Sequence, residues 1–155
     1  MRRLYIILIA IAAVCAITVA TMVFLVPDHR GEIRTDLHVG DYYEISVVKY
    51  GTIRHTIIAI DGDSVTDEVT SPYETSTQVV TKESFLKHVH IDPNSSDYEV
   101  IGRTIMKTNY GDRVCSVILH EKLLSTYWVD NNGVVFETSV GGTVSYLTET
   151  SLIIT

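Results

Sequence analysis

Tyr42 to Thr70 reads YYEISVVKYGTIRHTIIAIDGDSVTDEVT. Its first third, Tyr42–Tyr50, is aromatic and β-branched, a composition that fits a pleated surface. Gly51 breaks the run, and Thr52–Ile60 repeats the pattern. Asp61-Gly62-Asp63 is a tight-turn signal, since glycine enters positive φ at little cost. Ser64–Thr70 then returns as a third strand. Three strands joined by short turns predict an antiparallel meander.

The second half reads the same way. Tyr98–Thr108 is a strand that Gly102 marks for a bulge. Arg113–Glu121 and Leu124–Val129 follow. Asp130-Asn131-Asn132-Gly133 is the strongest hairpin turn of the chain. Val134–Val140 and Thr143–Thr150 close a last hairpin around Gly141-Gly142. Between the halves, Ser71-Pro72 stops a strand and Tyr73–Gln78 is polar. Thr81 is placed to cap a short helix over Lys82–His90. Asp92–Asp97 is a loop. The expected fold is mainly β: about eight strands in a curved antiparallel sheet, a meander or half-barrel, with one short helix. Ile57-Ile58 and Val134-Val135-Phe136 break simple alternation, which predicts cover on both sides of those strands. The helix or the far wall of a closing barrel would supply it. The interior is then a packed core by default, or a small cavity.

Upstream, Leu4–Val26 reads LYIILIAIAAVCAITVATMVFLV without a charge. As a helix it spans about 34 Å, enough for a hydrocarbon core of about 30 Å. A core helix would carry a polar face over six turns. A cleaved signal with Thr18-Val19-Ala20 as its site would leave a greasy new terminus. Lipid attachment at Cys15 would want a small residue before it, where Val14 stands. An uncleaved signal anchor fits best. Arg2 and Arg3, with the terminal amine, outweigh Arg34 and Arg30, which are interleaved with acids, so the N-terminus is expected in the cytoplasm and the domain outside it. The expected division is residues 1–26 as transmembrane anchor, 27–38 as juxtamembrane linker and 39–155 as β ectodomain. The membrane is thus the first expected partner.

Only Arg2 and Arg3 of the 12 basic residues precede Pro27, whereas all 19 acidic residues follow it. The domain is therefore more negative than the chain's −7, and it repels phosphate backbones and anionic lipid heads. Nucleic acid is not an expected partner. Cys115 is alone downstream of the apolar run, so no disulfide forms within the domain. It sits in a β-like run and reads as a small buried hydrophobe.

No nucleophile elbow, phosphate-cradling glycine loop or H-E-x-x-H motif is present, and no enzyme activity or cofactor is expected. His88, His90 and Asp92 alternate. On an extended chain they would converge on one cation; on a helix the two histidines would point apart. Asp61, Asp63, Asp67 and Glu68 faintly resemble a calcium loop without its glycine and closing glutamate. Eight downstream tyrosines and Trp128 suit either cross-strand pairs or a binding surface, with Tyr127 and Trp128 as the candidate contact pair. Asn94-Ser95-Ser96 is a glycosylation sequon on a loop.

The segment Ser125-Thr126-Tyr127-Trp128-Val129-Asp130-Asn131-Asn132-Gly133-Val134-Val135 resembles a hairpin of exported lipoprotein-carrier domains. Val39–Tyr43 and Ile60–Val65 are similar to the opening meander of small membrane-anchored exported proteins, chiefly archaeal. The resemblance implies a half-barrel whose concave face takes an acyl chain or a peptide. It transfers no catalytic residue. The expected role is a non-catalytic binding or structural module at the outer face of a membrane, with an unknown protein or apolar small molecule as partner. A carrier or sensor of an apolar ligand is the alternative, and a metal site at His88 and His90 the third reading.

Overall fold

The computed structural model describes residues 31–154. The apolar run Leu4–Val26 lies outside the described residues. Among them, no helix is long and apolar enough to cross a membrane.

The strands are β1 (Glu32–Ile33), β2 (Tyr42–Val47), β3 (Gly51–Asp61), β4 (Ser64–Thr70) and β5 (Thr75–Thr81), then helix α1 (Lys82–Leu86). After it come β6 (Glu99–Thr108), β7 (Gly111–His120), β8 (Ser125–Asp130), β9 (Val135–Val140), β10 (Thr143–Thr150) and β11 (Ile153–Ile154). Nine of them form one sheet in the order β5-β4-β3-β2-β10-β9-β8-β7-β6. It consists of two antiparallel meanders, β2–β5 and β6–β10, joined where β10 pairs with β2. The sheet does not close, so β5 and β6 are its two edges. β1 and β11 pair with each other as a separate ribbon.

Within the first meander the pleat sorts side chains cleanly. Tyr43, Ile57, Val65 and Asp67 are buried on the inner face, while Thr66 and Val79 belong to the opposite one. The breaks in alternation are β-bulges, where one strand carries an extra residue against its partner. One falls between Ile57 and Ala59, so Ile57 is buried and Ile58 is 43% exposed. Another falls between Trp128 and Val129 opposite Val135–Glu137, and there both Val135 and Phe136 are buried. Two-sided cover is thus needed at Val135–Phe136 and not at Ile58. Gly102 sits at a third bulge, as its place in the strand predicted.

The topology dictates the remaining piece. β5 ends at one edge and β6 begins at the other, so residues 82–98 must cross the inner face. α1 starts where the sequence placed it: the Thr81 hydroxyl accepts the Ser84 N–H at 3.1 Å. It ends at Leu86, four residues short of the expected His90. The reason is downstream pairing. Val89 carbonyl accepts the Val135 N–H at 3.0 Å, and Ile91 donates to the Gly133 carbonyl at 2.9 Å. A continued helix would withhold these groups from β9. Phe85, Val89 and Ile91 are buried beneath the crossing, and they plug the sheet's inner face.

Two segments were not anticipated. β5 is a full strand where a polar lead-in was expected. Residues 31–38, expected as linker, are built into the domain. Ile33 pairs with Ile153, Leu37 is buried, and Arg34 pairs with the buried Asp41.

Candidate functional site

The crossing segment splits the inner face into two grooves. One, of about 350 Å³, runs along β9, β10 and β2 and is lined by Ile45, Phe136, Val140 and Leu147, with His88 at its side. The other, of about 580 Å³, lies between the crossing segment and β7–β8 and holds Leu86, Ile91, Leu123, Tyr98 and Tyr127. Lys87 and Tyr127 line both grooves, so they form the ridge between them. Each groove exceeds the roughly 300 Å³ that a small apolar ligand requires.

The second groove has an aromatic corner. Tyr98 stands edge-to-face on Tyr127, with ring centroids 6.0 Å apart at 87°, and on His120, 5.3 Å apart at 82°. Burial, then Tyr127 and Asp97, push the Tyr98 hydroxyl above its usual pKa. His120 Nδ1 accepts the Leu123 N–H at 3.3 Å, which ties the ring to the turn after β7. Gly133 fixes the floor. Its φ is +81°, and a Cβ there would come within 2.6 Å of the Ile91 carbonyl oxygen. Only glycine allows the crossing chain this close.

The first groove borders a buried polar cluster that sequence reading missed. Asp67 is 1% exposed. Its Oδ2 meets His55 Nδ1 at 2.8 Å and accepts from Gln78 Nε2 at 2.9 Å. Its Oδ1 is buried without a hydrogen-bond partner among the described residues. Burial pushes this carboxyl's pKa up, but hydrogen bonds from His55 and Gln78 and the charges of His55 and His88 outweigh it, and the net shift is downward. The His55 ring stacks on Tyr43 at 4.6 Å and on His88 at 6.0 Å. Burial and Asp67 raise the Tyr43 hydroxyl. Although His88 is exposed over its outer side, desolvation of the ring where it packs on Tyr43 and His55, then the His55 charge, lower it, with Asp67 opposing. The cluster orients a column of rings that supports the crossing segment. Its sequence signal was two residues of adjacent strands, twelve positions apart, hidden by the bulge at Ile57–Ala59.

The residues singled out from sequence separate in space. His88 stacks over Tyr43 and His55 beside the first groove. His90 and Asp92 line the second. Among the described residues, no group of three or more His, Cys, Asp or Glu side chains is arranged to hold a metal ion. Of the faint calcium loop, Asp67 turns inward to His55. Tyr127 lines the grooves, while Trp128 is half-buried against the main core. Asn94 is exposed in a turn where its N–H bonds Asp92 Oδ1 at 2.9 Å. Cys115 is free and fully buried; burial pushes its thiol up to about 12.

No protein family, curated protein or solved structure matches the chain. The likeness to lipoprotein-carrier hairpins therefore stays an expectation.

Proposed function

We propose that this protein is a single-pass, membrane-anchored binding module, its β domain outside the cytoplasm and without catalytic activity. The inner face of the sheet, bent as a half-barrel, takes an apolar chain in the grooves beside the crossing segment. The observation that carries this reading is the groove of about 580 Å³ whose floor is Leu86, Ile91, Leu123 and Tyr127. Apolar surface left in a concave site gains from covering by a ligand, at about 25 cal/mol per Å². The charge-free run Leu4–Val26 supports the anchor. Anchoring raises the local concentration of any membrane-borne ligand.

A photoactivatable long-chain alcohol, added to membranes holding the full chain, tests this. Cross-links are expected on peptides carrying Leu86–Ile91 and Leu123–Tyr127. Labelling confined to the outward residues of β3–β5 overturns the apolar-groove reading. Recovery of the mature chain in the aqueous phase after detergent partitioning overturns the anchor.

A further inference from the structure

The larger groove is not merely apolar; its walls are acidic. Glu83, Asp92 and Asp97 line it with one ammonium group, Lys87, and two imidazoles, His90 and His120, and Lys87 is held by Glu83 at 3.0 Å. It adjoins a hollow of about 290 Å³ through Asp97, Tyr98 and His120, where Glu99 and Glu121 face Lys122. The joined site therefore holds more carboxylates than ammonium groups, and low-dielectric walls focus that negative potential.

At the junction stands the corner of Tyr98, Tyr127 and His120. Two near-perpendicular ring pairs set the Tyr98 plane across those of Tyr127 and His120. The His120 ring, tied through Nδ1 to the Leu123 N–H, closes the third side of the corner. Ring faces attract cations through their quadrupole, most effectively where the cation carries little hydration. A primary ammonium entering such a corner gives up hydrogen bonds to water that π faces do not replace. A quaternary ammonium has none to lose.

We infer that the Tyr98–Tyr127–His120 corner seats the quaternary ammonium end of an amphiphile whose apolar chain lies along Leu86, Ile91 and Leu123. This inference rests on the apolar-groove reading and adds the charge of the ligand. Fatty acids and other anionic amphiphiles are turned away by the same wall of carboxylates.

The test uses the full chain in dodecyl maltoside micelles, titrated by calorimetry with three water-soluble probes. They are choline, its uncharged isostere 3,3-dimethylbutan-1-ol, and Nα-acetyl-lysine methylamide. Choline is expected to bind at least tenfold more tightly than either of the others. Its affinity is expected to fall with rising salt, at least tenfold in Tyr98→Leu, and severalfold in the surface variant Asp97→Asn. Equal binding of the uncharged isostere overturns the inference and leaves the apolar groove standing. Tighter binding of the lysine analogue overturns the quaternary assignment in favour of a basic peptide. Absence of choline binding, while the long-chain alcohol still cross-links to the groove, overturns this inference alone. If both fail, both readings fall.

Discussion

Asp67 links the edge of the first meander to the crossing segment, through His55 and the stacked ring of His88. Replacing it with alanine leaves the His55 donor, 13% exposed, without its acceptor, whereas the exposed Gln78 amide turns to water. A stranded, largely buried polar group costs about 1–3 kcal/mol. Asp67→Ala is therefore expected to lower unfolding free energy in urea by about that much, with the His88 ring freed from its stack in NMR spectra. Retention of wild-type stability would contradict the assignment. The pH dependence follows by sign. The folded Asp67 pKa lies below its ordinary value, so its stabilisation is full above the unfolded value, about 4, and is lost as pH falls through the folded one. His88, also lowered, works in the same direction from about 6.5 downward. Melting temperature is expected to decline on acidification, in two steps, with the lower step missing in Asp67→Asn. Cys115 illustrates what sequence alone reveals at this scale. An isolated cysteine in a β-branched run is legible as a buried, inert hydrophobe. Asp67 was not legible, because an acid four residues beyond a tight Asp-Gly-Asp turn reads as surface, and only the bulge between Ile57 and Ala59 aims it at His55.

At the scale of elements, the crossing segment carries the site, and two residues, Phe85 within it and Gly133 beneath it, decide whether it stays down. Phe85 is 1% exposed and meets Tyr43 edge-on, with centroids 5.0 Å apart. Phe85→Ala is expected to cost about 3–5 kcal/mol. Gly133→Ala strains a left-handed backbone by about 1–2 kcal/mol and also drives a methyl into the Ile91 carbonyl. Amide exchange of Ile91 and Val135 is expected to accelerate in this variant, while that of β3 and β4 holds. Uniform acceleration would mean the crossing segment is not a separate unit. The hairpin turns, the Gly102 bulge and the Thr81 cap were legible because each has a local cause. The end of α1 was not, because it is set by hydrogen bonds to Gly133 and Val135 some forty residues away in the chain. β5 escaped notice for another reason: TSTQVVT has no alternation to read. Its pairing with β4 is a tertiary fact.

Over the whole molecule, the open sheet leaves two unlike edges. β6 carries Glu99, Arg103 and Lys107, charges that discourage strand addition, whereas β5 has neither charge nor proline and is exposed along most of its length. Self-association at high concentration is expected to run through β5. Val79→Lys should lower it in analytical ultracentrifugation, and Ile105→Lys should not. Equal effects would shift the contact elsewhere. The nine-strand order itself was beyond sequence reading, since each meander is local but their junction is not.

That junction sets a timetable. The Tyr42 N–H reaches the Ser151 hydroxyl at 3.0 Å across 109 residues of chain. At synthesis rates of about 5–20 residues per second, β2 waits roughly 5–20 s for its mate. During that interval Tyr43 and Ile45 sit on a naked border of a half-made sheet. For a polypeptide threaded through a bilayer, yield would then hinge on shelter at the exit side, a holding chaperone or swift release, more than on how firmly the finished domain stands.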